Sequence, residues 1–252
     1  MGDLSVTALY TSQVWAWAKL PCSELCATVD AKRVFDVTNA ALTVAQFGRP
    51  LLPYALLHRH LIIDRLLQDR PGAVTEIAAG LSRRGAANCA TRDYTEVDLA
   101  PVIAKKKELL ARTPEGKAVL DKLRFVEGDV TKIDIPPAPT VIAEGLCMYL
   151  RGDDRRALFA KIPGDFIFDL VPADEEPPQG RSGKLLEAAM KRFTGGRTFE
   201  KDARTRQQIV DELRAAGFPD VHIYTPDVFR DLPHLDRKTT MVVFSAMRAS
   251  RA

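Results

Sequence analysis

Beyond Gly72 the chain alternates short apolar runs with helical stretches, and few architectures accept that rhythm. The runs are Val74–Ala78, Tyr94–Asp98, Leu123–Glu127, Thr140–Glu144 and Asp165–Leu170. Helical patterns over 83–91, 100–121 and 152–161 separate most of them. Strand, helix, strand at this spacing predicts βαβ units, hence a parallel sheet covered on both faces. Right-handed crossovers then make a doubly wound α/β sheet, which binds ligands in the crevice at the carboxyl ends of its strands.

The two ends of the chain read differently. Before the sheet, helices are expected near 9–17, over Thr38–Phe47 and over Pro53–Leu67, with Pro53 suited to a first turn. They predict a helical cap, residues 1–70, over a ligand-binding domain, residues 71–252. After the fifth run comes a loop rich in Pro, Gly and acids, Val171–Gly183, then helices near 184–192 and 204–216. Asp220–Tyr224 and Thr239–Ser245 read as two closing strands, joined by a short connection into an antiparallel hairpin at the sheet edge. The expected fold is therefore a mostly parallel seven-stranded sheet, with insertions shaping a second substrate's site near 171–200.

Composition removes several classes of function. Of 252 residues 46% are hydrophobic and 27% charged, enough to bury a core and too apolar for disorder. Lys and Arg number 36 against 33 Asp and Glu. The longest basic block, Lys105–Lys107, reads as the wet face of a helix, so charge gives no support for nucleic-acid binding. No apolar run approaches the roughly 18–20 residues that cross a bilayer. Asp3 and the lack of an early basic stretch argue against a secretory signal. Cys22, Cys26, Cys89 and Cys147 form no CxxC pair and have no nearby His, so free thiols in the cytoplasm are expected, with neither metal site nor disulfide.

The chemistry concentrates at the strand ends. Glu76-Ile-Ala-Ala-Gly80-Leu-Ser-Arg83 follows a strand and opens a helix. Small residues at 78–80 let a ligand approach the backbone, where helix-start N–H groups are unpaired. The dinucleotide pattern G-x-G-x-x-G fits badly, because residues 78–83 put Arg83 at its third glycine. That disfavours a pyrophosphate and allows a nucleoside without phosphates. Asp98, 22 residues past Glu76, is placed to take ribose hydroxyls, although an acid there, taken alone, more simply caps the next helix. Asp129 after the third strand could accept from an adenine amino group, although Gly-Asp is also ordinary turn chemistry. The combination suits phosphate-free adenosine, hence S-adenosylmethionine (SAM).

On these residues the chain resembles the leucine carboxyl methyltransferase-like family, which includes tetracenomycin-type polyketide O-methyltransferases. The resemblance runs from about Thr7 to Tyr149. It is carried by Arg59-His-Leu-Ile-Ile-Asp64, Glu76 to Gly85, Tyr94-Thr-Glu-Val-Asp-Leu99 with Lys107 beyond, Gly128-Asp-Val130 and Ala143-Glu-Gly-Leu-Cys-Met-Tyr-Leu150. It implies the Rossmann-like fold of class I SAM-dependent methyltransferases, SAM as cofactor with S-adenosylhomocysteine (SAH) as product, and a small-molecule acceptor. It also implies that Arg59 holds the SAM carboxylate, Gly80 forms the cofactor turn, and Asp98 takes the ribose. Asp129 and Val130 then flank the adenine, and Glu144 lies beside the methionine moiety. Glu76, Ala78 and Leu99 complete the cofactor-binding set, with Ala78 departing from the family's first glycine.

A guanidinium offers a carboxylate two parallel hydrogen bonds, which suits Arg59, although its mid-helix place fits a solvated arginine equally. A carboxylate acceptor needs no base, whereas a phenol or alcohol does. Candidates for that base or for the acceptor wall are His58, His60 and Tyr149, although a lone helical His is more often structural or surface and a Tyr after a central strand more often core. Two other functions stay open: a nicotinamide-dependent oxidoreductase, and a SAM- or nucleoside-binding protein without turnover.

Overall fold

The computed structural model describes residues 6–46, 48, 50–174, 203–237, 239 and 241–249. Three helices come first: α1 (Val6–Trp17), α2 (Val29–Ala45) and α3 (Leu52–Gln68). They are followed by β1 (Val74–Ile77), α4 (Arg84–Asn88), β2 (Tyr94–Asp98), α5 (Ala100–Leu110) and α6 (Pro114–Leu120). The chain continues through β3 (Arg124–Glu127), β4 (Thr140–Ala143), α7 (Gly152–Lys161), β5 (Asp165–Asp169), α8 (Arg206–Ala215), β6 (Asp220–Tyr224) and β7 (Val243–Met247).

The seven strands form one sheet in the order β3-β2-β1-β4-β5-β7-β6. β1 to β5 pair in parallel, and β7 runs antiparallel between β5 and β6. The order reverses at β1, which is flanked by β2 on one side and β4 on the other. A crevice is expected at such a switch point. Side-chain alternation buries both faces. Val141, Phe166, Phe168 and Phe244 enter one core with Phe159 and Phe218. Ile142, Ile167 and Val243 enter the other with Ile62, Ile63 and Leu67 of α3. Thus α3 covers the sheet itself, while α1 packs on α2 through Tyr10, whose ring lies 5.4 Å from Phe35 and whose hydroxyl donates to Asn39 Oδ1 at 2.7 Å.

Several expected boundaries move, each for a local reason. The helix expected over Thr38–Phe47 begins at Val29, because the Thr28 hydroxyl accepts from the Ala31 N–H at 3.0 Å and starts it nine residues earlier. The single helix expected over 100–121 is two, since Thr113 and Pro114 restart the backbone. The helix expected over 83–91 is only Arg84–Asn88. The closing strand expected over Thr239–Ser245 is Val243–Met247, and it follows β6 across residues 225–242 instead of a short connection. It also sits inside the sheet against β5, so β6 alone forms that edge. The helix expected near 184–192 lies outside the described residues, as does most of the Val171–Gly183 loop.

Candidate active site

The expected crevice lies where four strands end. After β1 the chain makes a tight turn in which Ala78 and Gly80 both take left-handed backbone, with φ of +51° and +53°. Glycine suits that region freely; the Ala78 methyl bears some strain there. At the end of β2, Asp98 reaches across to this turn. Its Oδ2 accepts from the Gly80 N–H at 2.7 Å and its Oδ1 from the Leu99 N–H at 2.7 Å. On its other side the Asp98 carbonyl accepts from the Gly128 N–H at 2.9 Å, directly before Asp129. One residue therefore ties the β1 turn to the β3 turn. Leu99 is the N-cap of α5 and gives it no side-chain cap, while Asp98 bonds the N–H of that residue and so also borders the start of α5. Burial raises the Asp98 carboxyl, and the two backbone N–H bonds partly offset this.

Asp129 makes a local turn, accepting from the Thr131 N–H at 3.0 Å and the Thr131 hydroxyl at 2.7 Å, which hold its carboxyl below the usual range. Val130 is buried and Leu99 is exposed. Over the β1 turn stands α1: a Cβ added at Gly80 would meet the Ala8 methyl at 3.9 Å. Tyr149, on the 3-10 turn after β4, faces the same helix, with its hydroxyl 3.5 Å from Thr7 Oγ1.

Beside the crevice lies a buried ladder of alternating charge that joins α3 to β1, β4, β5 and the start of α4. Arg59 Nη1 donates to Asp169 at 3.1 Å and Arg59 Nε to Glu144 Oε1 at 3.0 Å. Arg84 continues it, with Nη2 donating to Glu144 Oε2 at 2.7 Å, Nη1 to Glu76 at 2.6 Å and Nε to Asp64 at 2.7 Å. The Tyr94 hydroxyl donates to the second Glu76 oxygen at 2.6 Å, and Arg83 also pairs with Asp64. Burial alone would raise Glu144; His60, Arg84 and Arg59 hold it well below the carboxylate range. Burial leaves Asp169 raised despite Arg59.

The two histidines proposed as bases are both fully buried. His58 Nε2 donates to the Pro233 carbonyl at 2.8 Å, which leaves Nδ1 to accept from the Thr239 hydroxyl at 3.1 Å. His60 stacks on Trp15 at 4.4 Å, and its Nδ1 sits 2.8 Å from Glu144 and 2.9 Å from Arg84. Its Nε2 is buried without a hydrogen-bond partner. Burial lowers the His60 pKa to about 4. The neutral ring therefore stabilises the fold fully above the unfolded value near 6.5, and that contribution fades as pH falls towards 4. An NMR titration should find the His60 ring neutral down to about pH 4. A midpoint near 6.5 would mean that water reaches it.

Arg84 and Asp64 lie in segments that carry the resemblance, yet sequence reasoning assigned no role to them or to Asp169, because pairs between distant segments leave no local pattern. The adjacent Arg83-Arg84 after a ligand turn was the available signal. It also misread Lys106, which is buried, 2.5 Å from Glu96 and donating to the Ser82 carbonyl at 2.6 Å, instead of lying on a wet face. A separate cleft of about 540 Å³ opens between α3, α4 and residues 231–233, lined by Leu61, Asp64, Arg83 and Arg92 among others. It includes none of Gly80, Asp98 and Asp129.

The sequence matches no family model and no curated protein. The structure is similar to a candidate O-methyltransferase of Nostoc punctiforme PCC 73102, with TM-score 0.55 and 20% identity, over 81% of this chain and 59% of that one. It is similar to human N-acetylserotonin methyltransferase, solved with SAM, with TM-score 0.56 and 15% identity, over 97% of this chain and 65% of that one. It is also similar to the glycopeptide N-methyltransferase MtfA, with TM-score 0.51 and 20% identity, over 76% of this chain and 90% of that one. The fold is that of the class I methyltransferases. The present chain spans less than two thirds of the first and second of these proteins. Among the described residues no helix is long and apolar enough to cross a membrane.

Proposed function

We propose that this chain is a SAM-dependent O-methyltransferase of the leucine carboxyl methyltransferase-like kind. Its acceptor would be a small molecule of the sort made in secondary metabolism. The observation that carries this reading is Asp98, held between the Gly80 N–H and the Gly128 N–H at the strand ends. In this reading residues 1–70 supply the cap, with α3 also covering the sheet, and 71–252 form the cofactor-binding domain.

The donor set suits the cofactor. Asp98 keeps carboxylate lone pairs beyond its two N–H bonds, and these would take the ribose hydroxyls. The Ala78–Gly80 backbone would lie along the nucleoside, with Asp129 and Val130 at the adenine. Arg59 has five N–H groups and spends one on Glu144 and one on Asp169. The remaining three would hold the amino-acid carboxylate. Bound SAM supplies an electrophilic methyl group with a neutral thioether behind it. The chain's own part is alignment and the exclusion of water, which α1 serves by standing over the turn. Both nitrogens of His58 are engaged and the His60 ring is fully buried, which favours a carboxylate acceptor that needs no base. Tyr149 is then the acceptor-side residue, and Glu76 supports the framework through Arg84 and Tyr94.

Titration calorimetry should give micromolar binding of SAM and SAH with no heat from NAD or NADP. Heat from a nicotinamide cofactor and none from SAH would overturn the reading. Labelled methyl should then appear on carboxylic acids offered as acceptors. A protein that binds SAM yet labels neither acids nor phenols would be a sensor.

A further inference from the structure

We infer that Asp169 is a positioning residue of this site, fixing the plane in which Arg59 presents its free N–H groups. The inference rests on the SAM reading above. Asp169 ends β5 and is fully buried. A carboxylate at that depth is costly unless every oxygen is engaged. Here Oδ1 accepts from the Gly145 N–H at 2.5 Å and Oδ2 from Arg59 Nη1 at 3.1 Å.

Geometry gives these two contacts their meaning. Glu144 alone grips Arg59 at Nε, and one contact leaves the guanidinium free to turn about it. The second contact comes from the neighbouring strand and removes that rotation. The same Asp169 carboxylate also fixes the Gly145 turn, over which Arg59 lies. A Cβ added at Gly145 would stand 3.3 Å from Arg59 Nη2, so the turn and the guanidinium are fitted to each other. Asp169 bonds Arg59 and the Gly145 turn. It acts through Arg59, and its loss should be felt only by ligands that carry a carboxylate.

The test compares SAH with 5′-methylthioadenosine, which keeps the adenosyl thioether but lacks the amino-acid end. In Asp169→Asn the dissociation constant for SAH should rise by about tenfold, the scale of one charged hydrogen bond, while that for 5′-methylthioadenosine stays within about twofold. In an Arg59→Met background, Asp169→Asn should add no further loss for SAH. Equal losses for both ligands, or none for either, would overturn the role of Asp169. A wild-type protein that binds neither ligand would instead overturn the SAM reading. If Asp169→Asn fails to fold, Gly145→Ala presses on the same guanidinium and should give the same SAH-selective loss. Gly145 has φ of +71°, and Ala78 shows that this chain carries an alanine at +51°.

Discussion

Replacing Arg84 by Met should cost about 3–5 kcal/mol of folding stability, the usual penalty for leaving buried charges without their partner. Arg84 is fully buried and bonds Asp64, Glu76 and Glu144 through a single guanidinium. Those acids come from α3, β1 and the end of β4, so the substitution strands charges on three elements together. Domains of this size hold only about 5–15 kcal/mol in total, so the variant should unfold at far lower urea. Arg112→Met is the control: Arg112 pairs with Glu108 on the exposed face of α5, and its loss should cost less than about 1 kcal/mol. Urea titrations of both variants decide the matter. An Arg84→Met penalty as small as the control's would mean that the ladder holds little of the fold together.

Asp98→Ala should weaken SAH binding by about 1–3 kcal/mol, a rise in dissociation constant of roughly 5- to 150-fold. Two losses combine. The sugar hydroxyls lose their acceptor, and the Gly80 N–H loses the carboxylate that shapes its turn. Asp98→Asn keeps one acceptor oxygen and should fall between wild type and Asp98→Ala. Calorimetry on all three proteins, with urea titrations to show intact folding, checks this order. Unchanged affinity in Asp98→Ala would retire the ribose role.

How much of this was legible beforehand follows from the range of each interaction. The strands announce themselves because their apolar runs are buried on both faces, and the strand ends at Ile77, Asp98 and Glu127 locate the crevice. Gly80, Asp98 and Asp129 could be placed together because βαβ topology puts successive parallel strand ends in a row. The first half of α2 escaped notice because Asp30, Lys32, Arg33 and Asp36 interrupt its apolar spacing, and its cap lacks the Glu or Gln that would flag it. The partners of Arg59 lay beyond reach for another reason. Glu144 and Asp169 are 85 and 110 residues away, and an ion pair at that separation has no period to detect. Lys106 belongs with these: its neighbours in sequence are ordinary helix lysines, and only the fold reveals Glu96 beneath it.

Ala78 bears on when the crevice loses its freedom. A methyl-bearing residue twisted left-handed is strained where glycine would not be, so the surrounding fold has to hold the bend. The disorder that such a bend gives up is surrendered while the polypeptide folds, and a nucleoside arriving later meets a loop already shaped. The same stiffness limits how far the loop can adapt, so bulkier or differently puckered sugars should find it unaccommodating.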